Sequence, residues 1–243
     1  MLVKPIDLSK HWNISPSGVL HVGAHVAEEK ALYVEANWAP VIWVEAQPEL
    51  AADLNQKFGG TSDQVICATI WDENGVDLKL KISSNSGSTS LLDFGTHQES
   101  YPQISFISEI DVVTSRLDKI LDSGSLPNFL NLDIQGVELQ ALRSLGELIS
   151  QLNFVYVEIN TKEVYQGCTK LVELDEFLKV NGFRRIITRR YFRHGWGEAM
   201  YVRNQIETKR LKSIFARTSN AFQFYIPQIK NLLRHLIRGT LNG

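Results

Sequence analysis

Cysteine is scarce: Cys67 and Cys168 are the only two among 243 residues. Two thiols exclude a disulfide framework and a four-cysteine zinc site. Each is expected to pack as a small apolar side chain in a reducing compartment. Neither sign of charge dominates. The 25 basic and 27 acidic side chains leave −2, which argues against a generally basic nucleic-acid binder. No apolar run is long enough to span a bilayer. The start, MLVKPIDLSKHW, lacks the apolar centre of a secretion signal. A cytoplasmic protein is expected, at most peripheral at the inner face of a membrane. Metal-ligand spacings are missing, so no required metal is expected. Walker A, Gly-x-Ser-x-Gly and His-Glu-x-x-His patterns are also missing, which disfavours common NTPase, hydrolase and metalloprotease chemistries.

The balanced total hides an asymmetry. Residues 205–243 hold seven basic side chains and one acid, for +6; residues 1–204 hold eighteen and twenty-six, for −8. In the basic tail, residues 229–238 space apolar side chains at helical intervals with cations between them. Such a segment can lie on an anionic membrane or dock on the core or on a partner subunit. Pro227 divides the tail in two.

Residues 1–204 alternate short apolar runs with amphipathic stretches. Strands are expected at 19–22, 41–44, 65–70, 129–134, 154–159, 183–187 and 199–202. Helices are expected at 26–37, 49–58, 137–149 and 170–181, the last closed by Gly182 as a left-handed cap. This rhythm predicts an α/β doubly wound sheet, with ligands at the carboxyl edge of its strands. Two segments interrupt it. Residues 77–82 alternate as a half-exposed strand does. Residues 83–90, SSNSGSTS, form a polar loop of the kind that serves as a lid, a binding loop or a plain surface excursion.

The chemistry gathers where strands end. The first runs into His21-Val22-Gly23-Ala24-His25, where a glycine permits close approach of a ligand or simply a tight turn. The second ends at Glu45, twenty-two residues after Gly23. An acid there suits ribose hydroxyls, expected about 20 residues after the glycine turn. The third glycine of a dinucleotide fingerprint is replaced near Ala27. The fourth strand leads to Asp133 and the fifth ends at Glu158. A buried strand-end acid is costly unless it is paired or faces a ligand. Glu138 follows in the first turn of a helix, where the dipole favours an acid, so it can act as a cap as well as a base. Glu45, Asp133 and Glu158, three strand-end acids at one edge, suit a cofactor carrying positive charge and suit a pyrophosphate poorly.

The segments HVGAHVAEE, VIWVEAQPEL, ICATIWDENG, SGSTSLL, TSRLDKIL, NLDIQGVELQALRSLG and YVEINTKEVYQG, in that order over residues 15–204, closely resemble the FkbM family of S-adenosylmethionine-dependent methyltransferases. The most specific piece is LDIQGVEL at 132–139, similar to the family's Asp-x-x-Gly-x-Glu signature. The resemblance implies a class I methyltransferase fold for residues 1–204: a Rossmann-like, seven-stranded, mostly parallel sheet with an antiparallel last strand. It implies S-adenosylmethionine as cofactor, with His21, Gly23, Ala24 and His25 under its methionine part, Glu45 and Ala46 at the ribose, and Ala68 beside the adenine. Asp133 would face the methionine amino group or the substrate. Ser88 and Ser90 would lie near the reaction centre as substrate contacts. The chain departs from the pattern at His21, where many members have Asp, and at Ala27, where many have Gly.

The implied reaction is in-line transfer of a methyl group to a hydroxyl, the hydroxyl of a sugar or surface glycan being the preferred class. Alignment supplies most of the catalysis, and a general base assists. Candidates for the base are Asp133, Glu138, Glu158 and His194, the last in an aromatic connection, YFRHGW, between the final strands. Two rivals stand beside this reading. A nicotinamide-dependent oxidoreductase should carry a complete glycine fingerprint, which is lacking here. A non-catalytic glycan- or membrane-binding module would keep the fold without the cofactor.

Overall fold

Strands that are apolar on both faces need cover on both faces. β1 (Val19–Val22), β2 (Val41–Glu45), β7 (Phe129–Leu132) and β8 (Phe154–Asn160) are buried along their whole length. In the computed structural model, which describes residues 1–191 and 193–208, they form the centre of a seven-stranded sheet. The chain order is α1 (Pro5–Trp12), β1, α2 (Lys30–Glu35), β2, α3 (Pro48–Phe58), β3 (Gln64–Cys67), β4 (Thr69–Ile70), β5 (Asp77–Ser83), α4 (His97–Ser100), β6 (Phe106–Ser115), α5 (Leu117–Ile120), β7, α6 (Glu138–Ser144), β8, α7 (Leu171–Val180), β9 (Phe183–Tyr191) and β10 (Trp196–Arg203). The sheet order is β3-β2-β1-β7-β8-β10-β9. Its first five strands pair in parallel, and β10 lies antiparallel to both β8 and β9.

Side-chain alternation along each strand feeds two cores. Leu20, Val22, Leu130 and Val155 meet Leu117, Leu142, Leu174 and Leu178 from α5, α6 and α7. On the other face, Val19, Trp43, Phe129 and Tyr156 meet Leu8, Tyr33, Leu54 and Phe58 from α1, α2 and α3. A second sheet, ordered β4-β6-β5, is inserted between β3 and β7.

Several expectations need correction. The strand expected at 65–70 is two strands. Cys67 ends β3, the Ala68 N–H bonds back to the Glu45 carbonyl (2.9 Å), and the chain then crosses to β6 at Thr69. The helix expected at 26–37 covers only Lys30–Glu35, because His25 (φ +48°) and Ala27 (φ +57°) put left-handed turns ahead of it. The helix expected at 137–149 stops at Ser144, and a 3-10 turn, Gly146–Gln151, follows Leu145. Strand β6 was not anticipated: its exposed face carries Ile107 and Val113, which blurs the polar alternation. Cys67 is exposed at the sheet edge rather than packed, whereas Cys168 is buried. The expected strand at 77–82 and the Gly182 cap (φ +83°) are present. The amphipathic reading of 229–238 and the break at Pro227 lie outside the described residues. Among the described residues no helix is long and apolar enough to cross a membrane.

Candidate active site

The carboxyl ends of β1, β2 and β7 open into a cavity of about 320 Å³. It is lined by the turn after β1 (Gly23, His25), by Glu45, Ala46 and Gln47 at the end of β2, by Ala68, and by Asp133 and Gln135 after β7. The serine-rich loop contributes Ser86, Gly87 and Ser90. Gly23 explains the closeness of this packing. Its φ is +89°, and a Cβ there would lie 1.8 Å from the Asp133 carbonyl oxygen. The Gly23 and Ala24 N–H groups both donate to the Val44 carbonyl, at 2.9 and 3.0 Å.

Glu45 joins the two turns. Its Oε2 accepts the His25 N–H (2.7 Å) and its Oε1 the Gln47 N–H (2.8 Å). Burial pushes the Glu45 carboxyl above its ordinary value, and these two bonds pull against that. His25 also spans the cavity mouth, with Nδ1 2.6 Å from Glu28 and Nε2 2.6 Å from the Ser86 hydroxyl. His21 reaches the cavity wall from the core, its ring 5.0 Å from that of Trp43 and its Nδ1 3.2 Å from the Tyr33 hydroxyl. Burial holds its imidazole below the usual range, which favours the neutral form. Ala24 does not line the cavity; it is buried as part of the second core.

A second cavity, about 490 Å³, adjoins the first. Aromatic rings of Tyr101, Tyr165 and Trp196 line it, together with Asn85, Gln103, Ser88, His97 and Glu158. Gly87, Asp133 and Gln135 line both cavities, so the segment after β7 forms their common wall. The Gln135 amide donates to Asp133 Oδ1 (2.5 Å) and to Glu158 Oε2 (2.9 Å), and its Oε1 accepts from the Tyr165 hydroxyl (2.6 Å). Ser90 is buried and donates to the Gln135 carbonyl (2.8 Å). Ser88 faces the second cavity and Ser90 the first.

The four candidate bases are thereby separated. Asp133 touches both cavities, and Glu158 touches the second. Burial first, then the nearby Asp133 and Glu138, push the Glu158 carboxyl well above its ordinary value. Glu138 lines neither cavity. It is wholly buried, with Oε1 accepting the Gly136 N–H (2.8 Å) and Oε2 without a partner. Burial pushes it up to about 7. Its bond to Gly136 ties it to the turn ahead of α6, and α6 carries no side-chain cap at its N-terminus. His194 stands behind the second cavity, stacked on Tyr101 at 5.1 Å.

Gln135, His97, Tyr101, Tyr165, Trp196, Glu28 and Glu29 escaped the sequence reading as cavity residues. Gln135, Tyr165, Glu28 and Glu29 lie inside the segments that carried the resemblance. The aromatic set comes from three separate parts of the chain, and no spacing announces it. His97 is stacked on Phe94 at 4.4 Å, and burial lowers its basicity.

The strand order, with its single reversed strand next to the edge, is that of the class I methyltransferase fold. The Methyltransferase FkbM domain family matches residues 21–185, and the chain belongs to that family. With it comes the family's methyl donor, S-adenosylmethionine. The donor's sulfonium and amino groups suit a cavity rimmed by Glu28, Glu29, Glu45 and Asp133. Among curated proteins, the chain is similar to the Hexuronic acid methyltransferase AglP of Haloferax volcanii, 29% identical over 104 residues. That match covers 40% of this chain and 41% of the relative, so it spans about two fifths of the relative's length. Among solved structures, ribosomal protein L11 methylase from Lactobacillus delbrueckii subsp. bulgaricus is 12% identical, covering 83% of this chain and 75% of that one at a TM-score of 0.47. Magnesium protoporphyrin IX methyltransferase from Synechocystis PCC 6803, solved with bound SAM, is 13% identical, covering 76% and 69% at a TM-score of 0.40.

Proposed function

We propose that the protein transfers a methyl group from S-adenosylmethionine to a hydroxyl of a sugar or surface glycan. The first cavity is the donor site and the second the acceptor site. The observation that carries this reading is their shared wall: Asp133 and Gln135 border both spaces, so donor and acceptor groups meet at one pair of side chains.

Donor binding rests on Glu45 for the ribose hydroxyls and on the backbone around Gly23 for the methionine part, with Ala46 and Ala68 as apolar walls. S-adenosylmethionine supplies an already activated methyl group. The protein's task is therefore alignment, exclusion of water and acceptance of one proton. Asp133 accepts that proton from the acceptor hydroxyl, because it alone of the four candidate bases borders both cavities. Glu158, beside it, holds an acceptor hydroxyl. Glu138 supports the turn, and His194 backs the ring of Tyr101.

A sugar acceptor is supported by the second cavity's lining. Aromatic faces (Tyr101, Tyr165, Trp196) suit the C–H faces of a sugar ring, and amides and hydroxyls (Asn85, Gln103, Ser88) suit its hydroxyls. The name of the Haloferax volcanii relative, a hexuronic acid methyltransferase, points the same way. The test is calorimetric titration of S-adenosylmethionine and S-adenosylhomocysteine into wild type and Glu45→Ala, followed by a panel of sugar acceptors. Binding of both ligands, weakened at least ten-fold in the variant, is expected. A folded wild type that binds neither overturns the donor-site reading.

A further inference from the structure

We propose that Gln135 is a positioning residue for methyl transfer: its amide ties Asp133 and Glu158 into one fixed pair at the wall between the two cavities. This rests on the donor-site reading above and goes beyond it.

A glutamine amide has two N–H donors and one acceptor oxygen. All three groups are used, on Asp133 (2.5 Å), Glu158 (2.9 Å) and Tyr165 (2.6 Å). The backbone is held as well, because the Gln135 carbonyl accepts the Ser90 hydroxyl at 2.8 Å. The residue sits at φ +57°, a conformation that costs a non-glycine residue energy and persists only when its surroundings enforce it. Four contacts on one strained residue therefore set the orientation of two carboxyl groups.

Removal of the amide has a definite consequence. Two N–H groups that favour the ionised forms disappear, and two carboxyls are left facing each other. Neighbouring carboxyls that cannot both ionise hold a proton to higher pH. The other titratable groups around the pair are Glu138 on α6, Glu198 on β10, Tyr165, His21 on β1 and the Met1 amino group, with His97 of α4 on the same cavity. A protonated pair attracts a cationic donor less strongly, so donor affinity should fall at the acid end of the pH range.

The experiment measures S-adenosylmethionine affinity by calorimetry from pH 5 to pH 8.5 in wild type, Gln135→Met and Tyr165→Phe. In Gln135→Met the pH at which affinity is half lost should move up by about one unit, the size expected from charge-assisted hydrogen bonds. Tyr165→Phe leaves the amide but frees its orientation, so it should move the midpoint in the same direction by about half as much. It also carries the test if Gln135→Met does not fold. A purely structural role would scale affinity equally at every pH, and an unmoved midpoint in the folded variants overturns the proposal. The Glu158 carboxyl carbon, followed by NMR in the ligand-free protein, gives a readout that does not need the donor. Its titration should move to higher pH in Gln135→Met, and in Tyr165→Phe if that variant alone folds; no movement overturns the proposal. A wild type that fails to bind S-adenosylmethionine strikes the donor-site reading instead and leaves this titration to decide on Gln135.

Discussion

Replacing Glu138 by glutamine should make the protein more stable at alkaline pH and leave it nearly unchanged at acid pH. Glu138 is wholly buried, and burial raises its carboxyl from an ordinary 4.5 to about 7. In the unfolded chain the group ionises near 4.5, whereas in the folded protein it keeps its proton until about 7. Between those values the folded state binds more protons, so stability is full below 4.5 and falls as pH rises through 7. The interval is two and a half pH units, and each unit is worth about 1.4 kcal/mol, so the loss is about 3 kcal/mol by pH 8. Glutamine keeps the acceptor for the Gly136 N–H (2.8 Å) and cannot ionise. Urea unfolding of both proteins at pH 4.5 and pH 8 measures the difference. The stability gap should swing by about 3 kcal/mol in favour of Glu138→Gln between the two conditions. A gap that stays constant with pH would refute the claim that this carboxyl is held neutral by burial.

Gly23→Ala should cost at least about 3 kcal/mol and abolish donor binding, since its Cβ would fall 1.8 Å from a backbone oxygen at φ +89°; chemical denaturation and calorimetry measure both effects. Ser90→Ala should destabilise by about 1–3 kcal/mol, because it removes the donor to Gln135 and the acceptor for the Leu92 N–H; thermal unfolding reads it. Ala27→Gly should change stability by less than about 1 kcal/mol, since relief of the φ +57° conformation is offset by a more flexible unfolded chain; the same unfolding assay checks it.

The alternation of apolar runs and amphipathic stretches was enough to expect a doubly wound sheet, because fully apolar strands require helices on both faces. The glycine after β1, and the acids at or near the ends of β2, β7 and β8, were legible for a local reason. A turn needing positive φ, or a charge at the end of a buried strand, leaves its mark on the residue type itself. The resemblance to the FkbM family added the donor and the class I topology. Local pattern was misleading where tertiary contacts compete with it. Ala27 is an ordinary helix residue and fell inside the helix expected at 26–37, yet the turn after β1 puts it, like His25 just before, in a left-handed conformation. The strand at 65–70 divides because two different sheets claim its two halves.

Three things were decided by the tertiary structure alone. Glu138, Asp133 and Glu158 all stood as candidate bases, Glu138 with a capping role as its alternative. Only the packing shows that Glu138 is sealed away while Asp133 borders two cavities. The aromatic lining of the second cavity assembles Tyr101, Tyr165 and Trp196 from distant segments. The tie between Asp133 and Glu158 passes through a glutamine that sequence treats as a spacer. Residue types and local spacing record what a short stretch of backbone needs. Burial, shared walls and paired charges depend on which distant segments meet, and that is settled only when the chain has folded.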